Sequence, residues 1–346
     1  MRFLALSALV ACSAPTSTTI GVADELAPVA GRSASSPFVT FHEIVQGGVL
    51  VDDVTYRSGA LVVHGIVCRP TNEASAPLVM LNHGGFMGID PLTREQCTGF
   101  AKLGMVAGVS SYRGEDGSDG VVEVCLGEVD DVAALEAILR AQAWVNPNRV
   151  ATVGFSHGAC VTDMLAVREP SLRAAVDFFG PANVATAFSF WQTQLSNGEA
   201  FCASTSQQVS TCSSMHQYLV STVTKSLGGT PAQAQAAYDA RSPGSSFSKL
   251  AVPIMVFQGT DDYAIDLSQA CDKRTALGAR AFFMDASLSP ASSSACGGGF
   301  ETGPLPATFT DGAYLFVYEG QGHGFTGDAY DSAGKLAFEF LLSRLQ

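Results

Sequence analysis

The sequence predicts an α/β fold: a mostly parallel sheet with antiparallel N-terminal strands, helices on both faces and a helical cap insertion. Three observations predict it. After Pro77, short and nearly continuous apolar runs alternate with longer helical stretches, the pattern of a parallel sheet buried on both faces. Before that point the chain reads as β-type segments separated by turn signals. With 346 residues, 47% of them hydrophobic and 15% charged, the chain is long enough to bury a large core.

The elements follow in order. The opening MRFLALSALVAC holds one basic residue, an apolar run too short to span a bilayer, and small residues before Cys12. Residues 1–11 therefore read as an export signal. The ending LVAC resembles a bacterial lipobox, in which the cysteine becomes the lipidated N-terminus; an ordinary cleaved signal peptide is the alternative. Residues 12–37, rich in Ser, Thr, Ala and Pro with no sustained period, read as a tether. The folded domain is expected over residues 38–346.

From Phe38 to Pro70 the sequence gives the antiparallel lead-in strands, with His42 and His64 read as strand-surface residues. The strand runs of the parallel sheet are LVMLNHGG, MVAGVSSYRG, RVATVGFSHG, AAVDFFGP, PIMVFQGTDD and AYLFVYEGQGHGF. Between them lie the helical stretches TREQCTGFAKLG, EVDDVAALEAILRAQ, GACVTDMLAVRE and SQACDKRTALGA, with DSAGKLAFEFLLSRL closing the chain. This is a βαβ series. Residues from about 182 to 247 interrupt it with aromatic-containing helical stretches and no strand-like run. An insertion there covers the carboxyl ends of the strands, where open α/β sheets bind ligands. It is read as a helical cap whose aromatics form its own small core, with Trp191 as a candidate substrate contact and His216 as a surface residue.

Charge and cysteines narrow the function classes. A formal net charge of −13 argues against nucleic acid and anionic headgroups as partners. Membrane contact is expected only through a lipid at Cys12. Nine cysteines, less Cys12, leave eight for up to four disulfides in an oxidising compartment, the periplasm, cell surface or medium. Cys202 with Cys212 and Cys271 with Cys296 are the favoured pairs. Cys68, Cys97, Cys125 and Cys160 are equally readable as small buried hydrophobes. No Cys/His cluster has zinc spacing, and no cofactor is implied.

The chemistry concentrates in VATVGFSHGAC, Val150 to Cys160. Here a Gly-x-Ser-x-Gly match follows a strand-like run and opens a helix, the arrangement of a nucleophile elbow with Ser156 at the turn. A serine needs a base oriented by a third group. Downstream, PIMVFQGTDD ends in Asp261 and Asp262, which compete for that orienting role, and His323 sits on a glycine-flanked loop. All three segments end strands on one edge of the sheet. His157, directly after the serine, begins the helix, so its backbone N–H rather than its ring is expected at the site, as one oxyanion donor. A second donor is expected from Gly85 or Phe86.

The motifs NHGGF, SYRGEDGSDG, GFSHG, RSPGSSFSKLAVPIMVFQGTDD and GQGHGF together resemble the prolyl-oligopeptidase-like and dienelactone-hydrolase-like branches of the α/β-hydrolase superfamily, over roughly Leu78 to the C-terminus. Matching Gly259 to the glycine of the family's H-G-x-x-D turn implies Asp262 as the triad acid and leaves Asp261 as a solvated turn residue. Dienelactone hydrolases carry cysteine where Ser156 stands. Prolyl-oligopeptidase-like enzymes often place a tyrosine where this chain has His83, which is read instead as fixing its loop through the ring. The missing hydroxyl tilts the reading towards esters.

The resemblance implies a serine hydrolase that cleaves small-molecule carboxylic esters through a Ser156 acyl-enzyme, with Asp262 and His323, and the N-terminal signal adds that it is exported. A serine peptidase acting on short or N-blocked peptides shares the motif set. A non-catalytic surface binding protein on a hydrolase scaffold is the alternative from another class. Tyr112 and Arg113 start a turn near the site and are candidate substrate contacts, Arg113 as a clamp on a substrate carboxylate. Asp116, Asp119 and Glu123 lack the calcium-loop spacing and read as a solvated acidic loop.

Overall fold

The structure, a computed structural model, describes residues 38–71, 74–205 and 207–346. The expected export signal, Cys12 and the tether lie outside the described residues. Strands β1 (Phe38–Gln46), β2 (Val49–Ser58) and β3 (Leu61–Pro70) form the antiparallel lead-in. There follow β4 (Ala76–Asn82), α1 (Pro91–Lys102), β5 (Val106–Ser110), α2 (Gly127–Arg140), β6 (Val145–Phe155), α3 (His157–Arg168) and β7 (Ala174–Phe178). Four helices come next: α4 (Val184–Ser196), α5 (Ala200–Ala203), α6 (Val209–Leu227) and α7 (Pro231–Asp239). The chain ends with β8 (Ile254–Gly259), α8 (Leu267–Leu277), β9 (Arg280–Met284), β10 (Pro290–Ala291), β11 (Ala313–Tyr318) and α9 (Gly327–Leu345).

The strands form one sheet in the order β1-β2-β3-β5-β4-β6-β7-β8-β11-β9-β10. From β5 to β9 every neighbouring pair is parallel, and antiparallel pairs flank that block on both sides. β5, β7 and β8 are buried along their whole length, as continuous apolar runs between two helix layers require. One layer packs α1 and α9 on the sheet through Cys97, Ala101, Leu336, Phe340 and Leu345. The other packs α2, α3 and α8 through Val132, Leu135, Leu139, Val161, Leu165 and Ala270. Among the described residues no helix is long and apolar enough to cross a membrane.

Two strands are absent from the sequence expectation. β9 is a five-residue run directly after a helix, with no turn cluster to mark its start, and it becomes a strand by pairing with β11 and stacking Phe282 on Phe316 at 5.2 Å. β10 is a two-residue edge strand that pairs antiparallel with β9.

The eight cysteines of the described part form four disulfides: Cys68–Cys97, Cys125–Cys160, Cys202–Cys212 and Cys271–Cys296. The two pairs favoured from sequence are among them, and the four buried cysteines left open pair as well. Four disulfides suit an extracellular, oxidising environment. Cys68–Cys97 ties α1 to β3, and Cys125–Cys160 ties the loop before α2 to α3.

A buried ion cluster closes the other layer. Lys273 on α8 binds Asp163 on α3 at 2.7 Å and Asp177 on β7, with all three side chains essentially unexposed. Burial opposes the Lys273 charge, but the two carboxylates outweigh it and push the ammonium's pKa up, while burial and Asp177 push Asp163 up. Removing the cation alone leaves two carboxylates in a low dielectric. Lys273→Met is therefore expected to lower the unfolding free energy by about 3–5 kcal/mol, read as a lower denaturant midpoint at unchanged slope.

Candidate active site

β6 ends at Phe155, α3 begins at His157, and Ser156 between them has φ 55° and ψ −119°. A residue with a side chain at positive φ is strained and persists only where its surroundings fix it. Its neighbours do so by close approach. A Cβ on Gly154 would lie 2.1 Å from the Gly158 carbonyl oxygen, and one on Gly158 would lie 2.1 Å from that of Asn82. Only glycine fits at either position.

His323 lies on the loop after β11, with Nε2 2.9 Å from Ser156 Oγ. Its Nδ1 is 3.0 Å from each oxygen of Asp262. The carboxylate can only accept, so Nδ1 carries the proton and Nε2 is left to accept the serine O–H. Asp262 is fully buried after β8. Its Oδ1 takes the N–H groups of Ala264 and Ile265 at 2.9 and 2.8 Å, and its Oδ2 takes Gln258 Nε2 at 2.9 Å. Asp261 turns elsewhere, accepting from the Thr260 hydroxyl and donating its N–H to the Gln321 carbonyl. Ser156, Asp262 and His323 thus meet from three distant segments. Phe179 sets its ring edge to His323 at 4.9 Å.

His157 contributes more than a backbone position. Its buried ring bridges two main-chain groups, with Nε2 accepting from Cys125 N–H at 3.2 Å and Nδ1 donating to the Gly85 carbonyl at 3.1 Å. Only a neutral imidazole can do both, and burial pushes its pKa down to about 4, which keeps it neutral. With the Gly85 carbonyl turned to that ring, the N–H of the same trans peptide unit, carried by Phe86, points the opposite way. Gly85, Phe86, Ser156 and His157 share the wall of one cavity. Of the two expected donor positions, Phe86 is the one whose N–H is turned away from the His157 ring.

Other expectations are corrected. Tyr112 is fully buried, stacks on His83 at 4.2 Å and donates its hydroxyl to the His83 carbonyl, so it braces the loop from behind rather than meeting substrate. His83 Nδ1 donates to the Gly84 carbonyl at 3.0 Å, as a loop-fixing role requires. The Arg113 guanidinium is committed to Asp131 at 2.9 and 3.0 Å and to Glu123 at 2.7 Å, which leaves it no place as a substrate clamp. The acidic loop is not merely solvated. Asp116 accepts from Ile89 N–H at 2.7 Å, Asp119 from Val62 N–H at 2.8 Å, and buried Glu115 from Gly88 N–H. Glu115 and Asp116 hold the segment that carries Phe86, and Asp119 ties the acidic loop to β3. His216 is fully buried, because a cap helix packs its face onto the Asp262 turn instead of presenting it to solvent.

Sequence reasoning passed over Gln258, Glu115, Glu128 and Glu199. Glu128, at the start of α2, accepts from the N–H groups of Glu123, Val124 and Leu126 and so shapes the loop that carries Cys125. An acid in the first turn of a helix was the available signal. The cavity beside Ser156 is apolar, walled by Val124, Ile265 and cap residues Trp191, Leu219 and Val223, with no charged lining residue. Trp191 lines that cavity and also belongs to the aromatic core of the cap. Among the described residues no group of three or more His, Cys, Asp or Glu side chains is placed to hold a metal ion.

The family described as X-Pro dipeptidyl-peptidase (S15 family) matches residues 58–281, well over half of the sequence. The chain belongs to the S15 family. It is a serine hydrolase. The S15 match takes in Ser156 and Asp262 and stops short of His323. The uncharacterized peptidase YtmA of Bacillus subtilis (strain 168) is 22% identical over 217 residues, covering 63% of this chain and 75% of that protein. Among solved structures, acetyl xylan esterase 1 from Thermoanaerobacterium sp. JW/SL YS485 superposes with a TM-score of 0.57 at 12% identity, covering 89% of this chain and 88% of that one. An acylaminoacyl peptidase from Pyrococcus horikoshii gives 0.59 at 17%, covering 89% of this chain and 42% of the other. A putative dienelactone hydrolase from Klebsiella pneumoniae subsp. pneumoniae MGH 78578 gives 0.54 at 14%, covering 85% and 98%. At these identities the structures share the α/β-hydrolase fold with this S15 protein.

The His157 bridge has a stability consequence. His157→Leu leaves the buried Cys125 N–H and the Gly85 carbonyl without their partner, and a loss of at least about 2 kcal/mol is expected in denaturant unfolding.

Proposed function

We propose that this S15-family protein hydrolyses carboxylic esters with short, uncharged acyl groups through an acyl-enzyme on Ser156. One observation carries the reading: the unbroken chain from Ser156 Oγ through His323 to the buried Asp262 carboxylate, beside an apolar cavity. His323 Nε2 takes the serine proton as Oγ attacks the carbonyl carbon. Asp262 holds the imidazole tautomer and stabilises the imidazolium. The N–H groups of His157 and Phe86 receive the developing oxyanion. His323 then protonates the leaving alcohol, and water activated by the same ring releases the acid.

The cavity supports a short acyl group. Its volume is ≈ 40 Å³, whereas a single water needs roughly 10–15 Å³ on that measure. The uncharged lining supports neutral acyl groups over a free N-terminal dipeptide, whose ammonium would call for a carboxylate partner. The S15 description keeps a peptidase acting on short or N-blocked peptides as the second reading. His83, stacked and buried, supplies no hydroxyl of the kind a tyrosine would offer an amide's oxyanion.

Residues 38–346 form the hydrolase domain in this reading, with the cap at about 182–247. Export through residues 1–11, with Cys12 as the lipidated residue, completes it, and the four disulfides support export.

Ser156→Ala is expected to retain less than about a thousandth of the wild-type ester hydrolysis, the scale of loss on removing a triad member. Across p-nitrophenyl esters, kcat/KM should peak between acetate and butyrate and fall at least about tenfold at octanoate, since the longer chain overpacks the cavity. Efficient cleavage of N-blocked aminoacyl anilides with negligible ester turnover would replace the ester reading with the peptidase one.

A further inference from the structure

The turn that carries Asp262 is held from two sides. From the sheet, Gln258 Nε2 donates to Asp262 Oδ2 and to the Ile265 carbonyl, each at 2.9 Å. From the cap, His216 Nε2 lies 2.6 Å from the Tyr263 carbonyl, and Trp191 Nε1 donates to the Ala264 carbonyl at 2.5 Å. The next N–H groups along, those of Ala264 and Ile265, end on Asp262 Oδ1. The peptide units whose N–H groups reach the carboxylate are therefore the units whose carbonyls the cap side chains grip. A shift of either grip rotates those N–H groups away from Oδ1.

The His216 end is itself fixed. A carbonyl only accepts, so Nε2 of His216 must carry a proton. Its Nδ1 sits 2.7 Å from Glu199 Oε2, which demands a second proton shared between the two. Both side chains are buried, His216 completely. Glu199 is held at φ 62°, a strained conformation for a residue with a side chain. The Cys202–Cys212 disulfide staples α5, which follows Glu199, to α6, which carries His216. Phe190 sets its ring edge to His216 at 5.8 Å. A buried pair this constrained, away from the reacting atoms, has a task that solvent-facing residues do not.

We propose that Glu199 and His216 form a second carboxylate–imidazole pair, a positioning dyad in the cap that, with Trp191, aligns Asp262 for its bond to His323. The cap is then a working part of the catalytic machinery and stays docked on the Asp262 turn through turnover. This rests on the Ser156–His323–Asp262 reading above and adds to it residues that touch neither substrate nor reacting atoms.

The test compares His216→Phe, His216→Gln and Trp191→Phe with wild type, using p-nitrophenyl acetate turnover per titrated active site and the far-downfield proton resonance of the His323–Asp262 hydrogen bond. In His216→Phe, kcat should fall by about tenfold, the worth of one hydrogen bond, with KM nearly unchanged and the downfield resonance shifted or lost. In His216→Gln the side-chain amide still donates to the Tyr263 carbonyl, and kcat and the resonance should recover most of the way. Trp191→Phe keeps the aromatic packing and removes only the Nε1–H. It should move the resonance in the same direction, and it keeps the test decisive where His216→Phe does not fold. Unchanged kcat per active site and an unchanged resonance in the folded variants would overturn the dyad. Asp262→Asn separates this from failure of the underlying reading: a collapse of about 10⁴ in kcat upholds the triad whatever the His216 variants do, while near-normal activity overturns triad and dyad together.

Discussion

The site depends first on one backbone conformation, the positive φ of Ser156. Such a residue costs of order 1–3 kcal/mol and survives only where the fold over-determines it. Three strands do that here. Ser156 N–H is taken by the carbonyl of Phe178 at the end of β7. Asn82, at the end of β4, donates its amide to Thr152 on β6 and Thr162 on α3 at 2.9 and 2.7 Å, fully buried. The close approaches at Gly154 and Gly158 remove any room for the turn to relax. The serine hydroxyl is thereby lifted out of the sheet edge and offered to a histidine that arrives from the far side of β8.

From that fixed point the surrounding loops brace one another. The acids of residues 115 and 116 hold the N–H groups of Gly88 and Ile89, the ring of His157 holds the Gly85 carbonyl and Cys125 N–H, and the Cys125–Cys160 disulfide returns the chain to the helix behind the serine. Burial has an electrostatic cost at each station. It pushes Glu115 up to about 8 and His157 and His83 down to about 4. The neutral forms suit their tasks, because an uncharged His157 can accept one hydrogen bond while donating another. Polar groups that would attract water are turned into the loop framework, and the cavity face is left apolar.

The cap completes the enclosure. Its aromatic core, built around Phe188, Trp191 and Tyr238, is continuous with Val124, Cys125 and Ile265 at the cavity. Cavity shape and cap packing are therefore one problem, and a substitution in the cap core changes both. Membership of a family described by dipeptide release and a cavity without charge pull in different directions. A pocket built to bind an ammonium would leave a carboxylate exposed on its wall, and the acids near this one are turned to main-chain N–H groups, Arg113 or His216.

The sequence by itself determined the βαβ series, the serine at a strand-to-helix turn, and the acid and histidine at strand ends. Each is a local signal: an apolar run, a pair of glycines, a polar residue placed just past a strand. The preference for Asp262 over Asp261 came from the family resemblance, through the glycine register of its turn, and not from these local signals. What the sequence did not carry was the destination of side chains whose partners lie far along the chain. His216 reads as a surface residue because nothing within its helix says that Tyr263, 47 positions on, will meet it. Arg113 reads as a clamp because its partner Asp131 lies on a helix that only the fold brings beneath it. β9 became a strand only because β11 offered it an edge. Those outcomes are set by long-range packing, which decides where each buried polar group finds its hydrogen-bond partner, and that is a property of the tertiary structure alone.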